Sequence, residues 1–181
     1  KAMPTVRAAL AADIPAIAAL IQRSGIELSE GFYTTEQARA ITRHVFGVDT
    51  QLVADQTYFM VEQHGQLVAC GGWSKRSTLF GADHTKQGVD ALLDPANEPA
   101  RIRAFFVEPA AARQGLGRLL LQHCTDAAAE AGFQALELAA TMPGVPLYLA
   151  CGFTEVETFE LTLPEQVKVA LTRMRKDIAE R

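Results

Sequence analysis

The sequence predicts a single mixed α/β domain, and three observations carry that prediction. Its 181 residues are 49% apolar and 21% charged, the balance of a globular chain with enough material for one core. Period-two apolar runs alternate with stretches of helical periodicity, in the order helices, hairpin, strand, helix, strand, short helix, strands. The sequence has no internal repeat and no low-complexity tract, which excludes disordered, collagen-like and coiled-coil classes. Residues 3–181 are read as this domain. Lys1 and Ala2 precede Met3 and are expected to be a remnant outside it.

The elements follow in order. Thr5 to Ala9 reads as a short edge strand. Asp13 is a good N-cap with Pro15 in the first turn, and Ile14, Ile17, Leu20 and Ile21 recur at helical spacing up to Ser24-Gly25. Ile26 to Thr34 reads as a loop. Thr34 or Thr35 caps a second helix running to about Val45, with Glu36 in its first turn. Gln51 to Ala54 is a weak strand signal. Tyr58 to Gln63 is a strong one, turned by His64-Gly65 into a partner strand from Gln66 to Ser74. Ser77 to Pro99 is a long polar insertion of the kind that is functional or mobile. Arg101 to Val107 is a strand, Arg118 to Ala131 a helix stopped by Gly132, and Ala135 to Thr141 another strand. Pro146 to Cys151 makes a short helix ended by Gly152. Thr154 to Leu161 and Val167 to Met174 complete the set.

Charge and cysteine usage narrow the function. Lys and Arg number 17 against 21 Asp and Glu, a formal charge of −4, so nucleic acid is not an expected partner. No apolar run approaches a bilayer span, and no signal-peptide core is present, so neither a membrane nor export is expected. Cys70, Cys124 and Cys151 are odd in number and lack ligand spacing. They read as free thiols in a reducing, cytoplasmic setting, with no metal site.

The chemistry concentrates in Arg113-Gln114-Gly115-Leu116-Gly117-Arg118, which follows a strand and opens a helix. Glycine there lets backbone approach a bulky anion, and successive N–H groups at a helix start can hold it. Taken alone, the pattern is more often a tight strand-to-helix turn than a binding loop. It lacks the Lys-Ser/Thr of a P-loop, and Leu120 stands where a dinucleotide fingerprint has its third glycine.

The longer stretch Phe105-Phe-Val-Glu-Pro-Ala-Ala-Ala-Arg-Gln-Gly-Leu-Gly-Arg-Leu-Leu-Leu resembles the acetyl-CoA-binding motif of the GNAT superfamily of N-acetyltransferases. Leu147-Tyr148-Leu-Ala-Cys-Gly152-Phe153 resembles the closing motif of that family. The specific resemblance covers Arg101 to Val156. It implies a three-layer domain: a mixed sheet of about six to seven strands flanked by helices, splayed at the cofactor-binding strand. Two positions depart from the family pattern: Ala112 where Arg or Gln is usual, with Arg113 adjacent, and Thr141-Met142-Pro143-Gly144 where many members carry Asn.

The resemblance also implies roles. Pantetheine would lie along Phe106 and Val107, and the pyrophosphate on Arg113, Gln114, Gly115, Leu116, Gly117, Arg118 and Leu119. Tyr148 matches the general acid for the CoA thiolate; a phenol is protonated at neutral pH, and the alternative is an aromatic packed on the core side of its helix. Tyr33, Phe32 and Trp73 are candidates for the acceptor pocket, with core packing the alternative. Glu27, Glu30, Glu62, Asp83 and His84 are candidate bases, each more readily an ordinary solvated residue, and a water path would replace any of them. Arg101 and Arg103 read as a solvated strand face, the alternative being contact with an anionic acceptor or CoA, and Cys151 reads as structural, with no His partner. Gly71-Gly72 suggests a bulge or a close backbone approach.

The expected function is direct transfer of an acetyl group from acetyl-CoA to a primary amine of a small molecule or peptide, without metal. A homodimer, common among relatives, is a further expectation. The alternative is a non-catalytic acyl-CoA sensor on the same scaffold.

Overall fold

The computed structural model describes residues 3–27, 29–80, 83 and 90–178. One seven-stranded sheet runs in the order β1-β2-β3-β4-β5-β7-β6. Its strands are β1 (Thr5–Ala8), β2 (Tyr58–Gln63), β3 (Gln66–Ser74), β4 (Ala100–Val107), β5 (Ala135–Thr141), β6 (Thr154–Thr162) and β7 (Lys168–Asp177). All neighbours pair antiparallel except β4 and β5. Helices α1 (Ile14–Glu27), α2 (Thr35–His44), α3 (Thr50–Ala54), α4 (Leu116–Glu130) and α5 (Val145–Ala150) complete the fold.

The sheet is buried on both sides, which is why β2 reads as an unbroken apolar run rather than an alternating one. Tyr58 and Met60 point to a core with Ile17, Leu20 and Ile21 of α1. Phe59 and Val61 point the other way, to a core with Leu120, Leu121, Cys124 and Ala128 of α4. A third cluster joins Ile41 of α2 to Val169 and Leu171 of β7. The result is the three-layer, helix-flanked mixed sheet expected from the sequence.

Three local expectations need correction. Residues 51–54 are not a strand: they belong to α3, whose N-cap Asp49 accepts from the Gln51 N–H at 3.2 Å. One capped turn is too short for periodicity to reveal. Asp13 does not cap α1 from outside. It lies in a preceding 3-10 turn, where its carboxylate accepts the Leu10 N–H at 2.7 Å and two Arg7 bonds at 2.8 Å. Helix α4 starts at Leu116, two residues before the predicted Arg118, because Gly115 adopts φ +79° as its N-cap.

The Gly71-Gly72 pair meets a close approach and a register shift together. A Cβ on Gly71 would sit 2.4 Å from the Phe105 ring, and one on Gly72 would sit 2.5 Å from the Thr57 carbonyl oxygen. Opposite them Ala104 takes φ +55°, and the β3–β4 register slips between Cys70 and Gly72. This is a β-bulge, and it bends β4.

The outer edges of the sheet differ. β1 has four residues. β6 has nine, almost all exposed.

Candidate active site

The bend in β4 opens the sheet. β4 pairs with β5 only at Ala100 with Leu136 and Arg101 with Glu137. From Ile102 to Val107 the β5 side of β4 has no strand partner, and the two strands diverge around a cleft of about 570 Å³. Its walls are Ile102 to Val107 on one side and Leu138 to Thr141 on the other. Strand backbone must find partners, so a gap of this kind suits a ligand with amide groups along its length.

At the C-terminal end of β4 the cleft meets Ala112, Arg113 and Gly117. Arg113 has φ +65° and Gly115 φ +79°, which turns the chain sharply into α4. The N–H groups of residues 113 to 118 have no backbone acceptor among the described residues. Consecutive free donors at a helix N-terminus form an anion-binding cradle. The Leu119 N–H is already given to the Gly115 carbonyl at 3.0 Å, so it lies outside that run. Leu116 turns its side chain into the core, Arg118 does not border the cleft, and Gln114 sits in a separate depression with His64 and Glu108. At those positions only backbone can serve the cradle. Gly117 also sets the wall: a Cβ there would lie 2.9 Å from Leu147 Cδ2, so its absence lets α5 close against α4.

Tyr148 lies in that wall. Its ring packs edge-on to Phe153 at 5.6 Å and beside Phe105 at 6.4 Å. No described residue hydrogen-bonds its hydroxyl, and burial pushes its pKa up, so it stays a neutral phenol. Phe106 and Val107 both line the cleft, and the Phe106 ring meets Phe46 edge-on at 4.9 Å.

The acceptor candidates separate. Phe32 is 46% exposed and lines the cleft. Tyr33 does not: its hydroxyl donates to the Ala170 carbonyl at 2.8 Å and accepts from the Met142 N–H at 2.9 Å, tying the α1–α2 connection to the sheet. Trp73 is buried against Phe133, its Nε1 without an acceptor among the described residues, and is also outside the cleft lining.

None of the described base candidates lines the cleft. Glu27 and Glu30 are exposed, Glu62 is held by Arg7 at 2.6 Å, and Asp83 accepts from the Thr50 N–H and hydroxyl. His84 lies outside the described residues.

The arginines need correction. Arg103 is not on a solvated face. It is buried in the cleft wall, 2.8 Å from an equally buried Asp49 and donating to the Thr78 carbonyl at 3.0 Å. Arg101 is mostly covered as well, near Glu137 and the carbonyls of Ser77 and Pro99. The start of the insertion crosses this face, and no pattern within β4 announces that. The same segment brings Leu79 and Phe80 to the cleft, which sequence reasoning missed along with Asp49 and Phe46.

All three cysteines are free; burial pushes the Cys70 thiol up to about 12, and Cys151 is partly buried. Among the described residues there is no group of three metal-ligating side chains and no helix long and apolar enough to cross a membrane.

Comparison with known proteins agrees with this geometry. Residues 23–153 match the model of the acetyltransferase (GNAT) family. No curated protein matches the chain. A GCN5-related N-acetyltransferase structure from Rhodopseudomonas palustris superposes with a TM-score of 0.71 at 17% identity, covering 97% of this chain and 96% of that one. The ribosomal-protein-S18-alanine N-acetyltransferase of Escherichia coli gives 0.60 at 19% identity, covering 99% and 96%. The structure of yncA from Salmonella typhimurium, which holds its cofactor acetyl-CoA, gives 0.65 at 17% identity, covering 99% and 96%. At these identities the likeness is one of fold.

Proposed function

The chain belongs to the GNAT acetyltransferase family, and on that premise we propose that it transfers an acetyl group from acetyl-CoA directly to a primary amine of a small molecule or peptide. The observation that carries this reading is the junction of the β4–β5 gap with the free N–H groups at the start of α4. A pantetheine arm has amides for the unpaired edge of β4. A pyrophosphate has the charge for the N–H cradle, with Arg113 beside it.

In the reaction a neutral amine attacks the thioester carbonyl, forming the C–N bond. Collapse of the tetrahedral intermediate breaks the C–S bond, and the sulfur leaves with the electron pair. Tyr148 donates its hydroxyl proton to that sulfur, and the nitrogen releases its extra proton to solvent, from which the phenolate is reprotonated. A phenol with a raised pKa is an unwilling donor in water. In this wall the burial that raises it also raises the proton affinity of the departing thiolate.

Calorimetric titration with acetyl-CoA, then CoA, tests the cofactor site, beside Gly117→Trp with its Tm checked. The indole has no room against Leu147, so binding should be lost. Thiol release with an amine panel then tests turnover. Binding without release from any amine would favour the acyl-CoA sensor. No binding by the parent protein at millimolar acetyl-CoA would refute both.

A further inference from the structure

The end of the cleft away from the N–H cradle has its own character. Arg103 is four residues up β4 from Val107, roughly 13 Å at strand rise. The cleft is also lined by Phe32 from the α1–α2 connection, Phe46 from the segment after α2, and Leu79 and Phe80 from the insertion, which follow the Thr78 carbonyl that Arg103 bonds, with Leu171 of β7. Two of these rings pack against neighbours: Phe46 edge-on to Phe106 of the same wall, and Phe80 beside Phe159 of β6 at 6.0 Å. Together they give the cleft apolar walls, with Tyr148 in the same lining.

Its charge is as informative as its shape. Every Asp and Glu of the chain except Glu180 lies among the described residues, and none lines the cleft. Among the described residues the charged side chains that do are both cations, Arg103 and Arg113, and Arg103 is matched by Asp49 at 2.8 Å. A polyamine, an aminoglycoside or a lysine-rich peptide would bring several ammonium groups into apolar walls with no carboxylate to meet them. That desolvation has no compensation.

Resting on the acetyl-transfer reading above, we propose that the acceptor is an apolar or aromatic monoamine, seated among Phe32, Phe46, Leu79 and Phe80 and bound as the neutral amine. The second part follows from the first. The titratable and charged groups lining the cleft, among the described residues, are Arg103 with Asp49 behind it, Tyr148, and Arg113 at the cradle end; α1, α2 and β7 contribute none. Apolar walls disfavour an ammonium, and no carboxylate in the lining offsets that, so the site selects the unprotonated acceptor without a carboxylate base.

The test is thiol-release kinetics at saturating acetyl-CoA. 2-Phenylethylamine and isoamylamine are compared with spermidine, kanamycin and a lysine-rich peptide. kcat/KM for phenylethylamine should exceed that for spermidine by about 100-fold or more, the range a matched apolar pocket can reach. Its logarithm should rise with pH at unit slope up to the acceptor's own pKa. Phe80→Ala should raise the phenylethylamine KM about tenfold while the calorimetric Kd for acetyl-CoA stays put. Phe80→Glu should shift the phenylethylamine-to-spermidine ratio toward spermidine by about tenfold, by placing a carboxylate in the cleft. A preference of the parent protein for spermidine, kanamycin or the peptide overturns the proposal. So does acetyl-CoA binding with no turnover of either apolar amine, which leaves the cofactor site standing. Absence of acetyl-CoA binding overturns the acetyl-transfer reading and this inference with it.

Discussion

Replacing Asp49 by Asn removes one charge from a pair in which both side chains are almost fully covered, 1% exposed for Arg103 and 0% for Asp49. Asn has the same shape and keeps an oxygen for the Gln51 N–H, so the α3 cap survives. What changes is the side toward Arg103: the amide nitrogen replaces the Oδ2 that accepts from Arg103, so the charge and that hydrogen bond are lost together. Burial already pushes the Arg103 pKa down, and the Asp49 charge is the main term opposing it, with Asp90 next. Removing one partner of a buried pair costs about 3–5 kcal/mol, because the other charge stays desolvated. The Thr78 carbonyl and the Asp90 field remain, which places the expected loss near 3 kcal/mol, at the low end of that range. With a urea m-value of roughly 2 kcal/mol/M, the midpoint should fall by about 1.5 M. The assay is urea unfolding followed by circular dichroism on parent, Asp49→Asn, Arg103→Met and the Asp49→Asn/Arg103→Met double variant. The double variant should be far more stable than the sum of the single losses, since it buries no charge. A loss below about 1 kcal/mol for Asp49→Asn would refute the buried-charge argument.

Three other outcomes are expected. Tyr148→Phe should lower kcat by about 100-fold or more with acetyl-CoA affinity nearly unchanged, measured by steady-state kinetics and calorimetry; an unchanged kcat removes the acid role. Gln166 sits at φ +62° beside Glu165 at φ +66° in the β6–β7 turn, so Gln166→Gly should relieve strain worth about 1 kcal/mol and raise Tm by about 2–4 °C in calorimetry. Hydrogen bonds from Arg7 and Leu10 hold the Asp13 carboxyl down at about 2. Its contribution to stability is therefore complete above the ordinary carboxylate pKa near 4 and fades as pH falls through 2. Asp13→Asn should flatten that part of a Tm-against-pH curve.

The sequence made the layers legible because periodicity reports burial. The double-sided core of β2 and the helical stripe of α4 left clear patterns, and the turn at Gly115 announced where the strand meets the helix. What escaped was non-local. Nothing within Arg101-Ile102-Arg103 says that the insertion will cross that face, so a buried ion pair looked like a solvated one. Nothing near Asp49 says that its partner stands on β4, 54 residues away. The bulge at Ala104 was hidden because a non-glycine residue with positive φ carries no sequence mark; only Gly71-Gly72 opposite hinted at it. Tyr33 is aromatic and lies in the right loop, but its position follows from two backbone partners more than 100 residues away.

The long open edge of β6 bears on how copies of the molecule behave when concentrated. An edge of this length is a template on which other strands can polymerise. Here it carries Glu155, Glu157 and Glu160, with Arg173 and Lys168 of the inner neighbour β7 facing the last two from within the same sheet. A second edge arriving from outside would bring its own carboxylates against these and find the cations already engaged. The repulsion is greatest at low salt and weakens as salt screens it. Colloidal stability of this protein should accordingly be lost first where added salt screens those glutamates, well before the core unfolds.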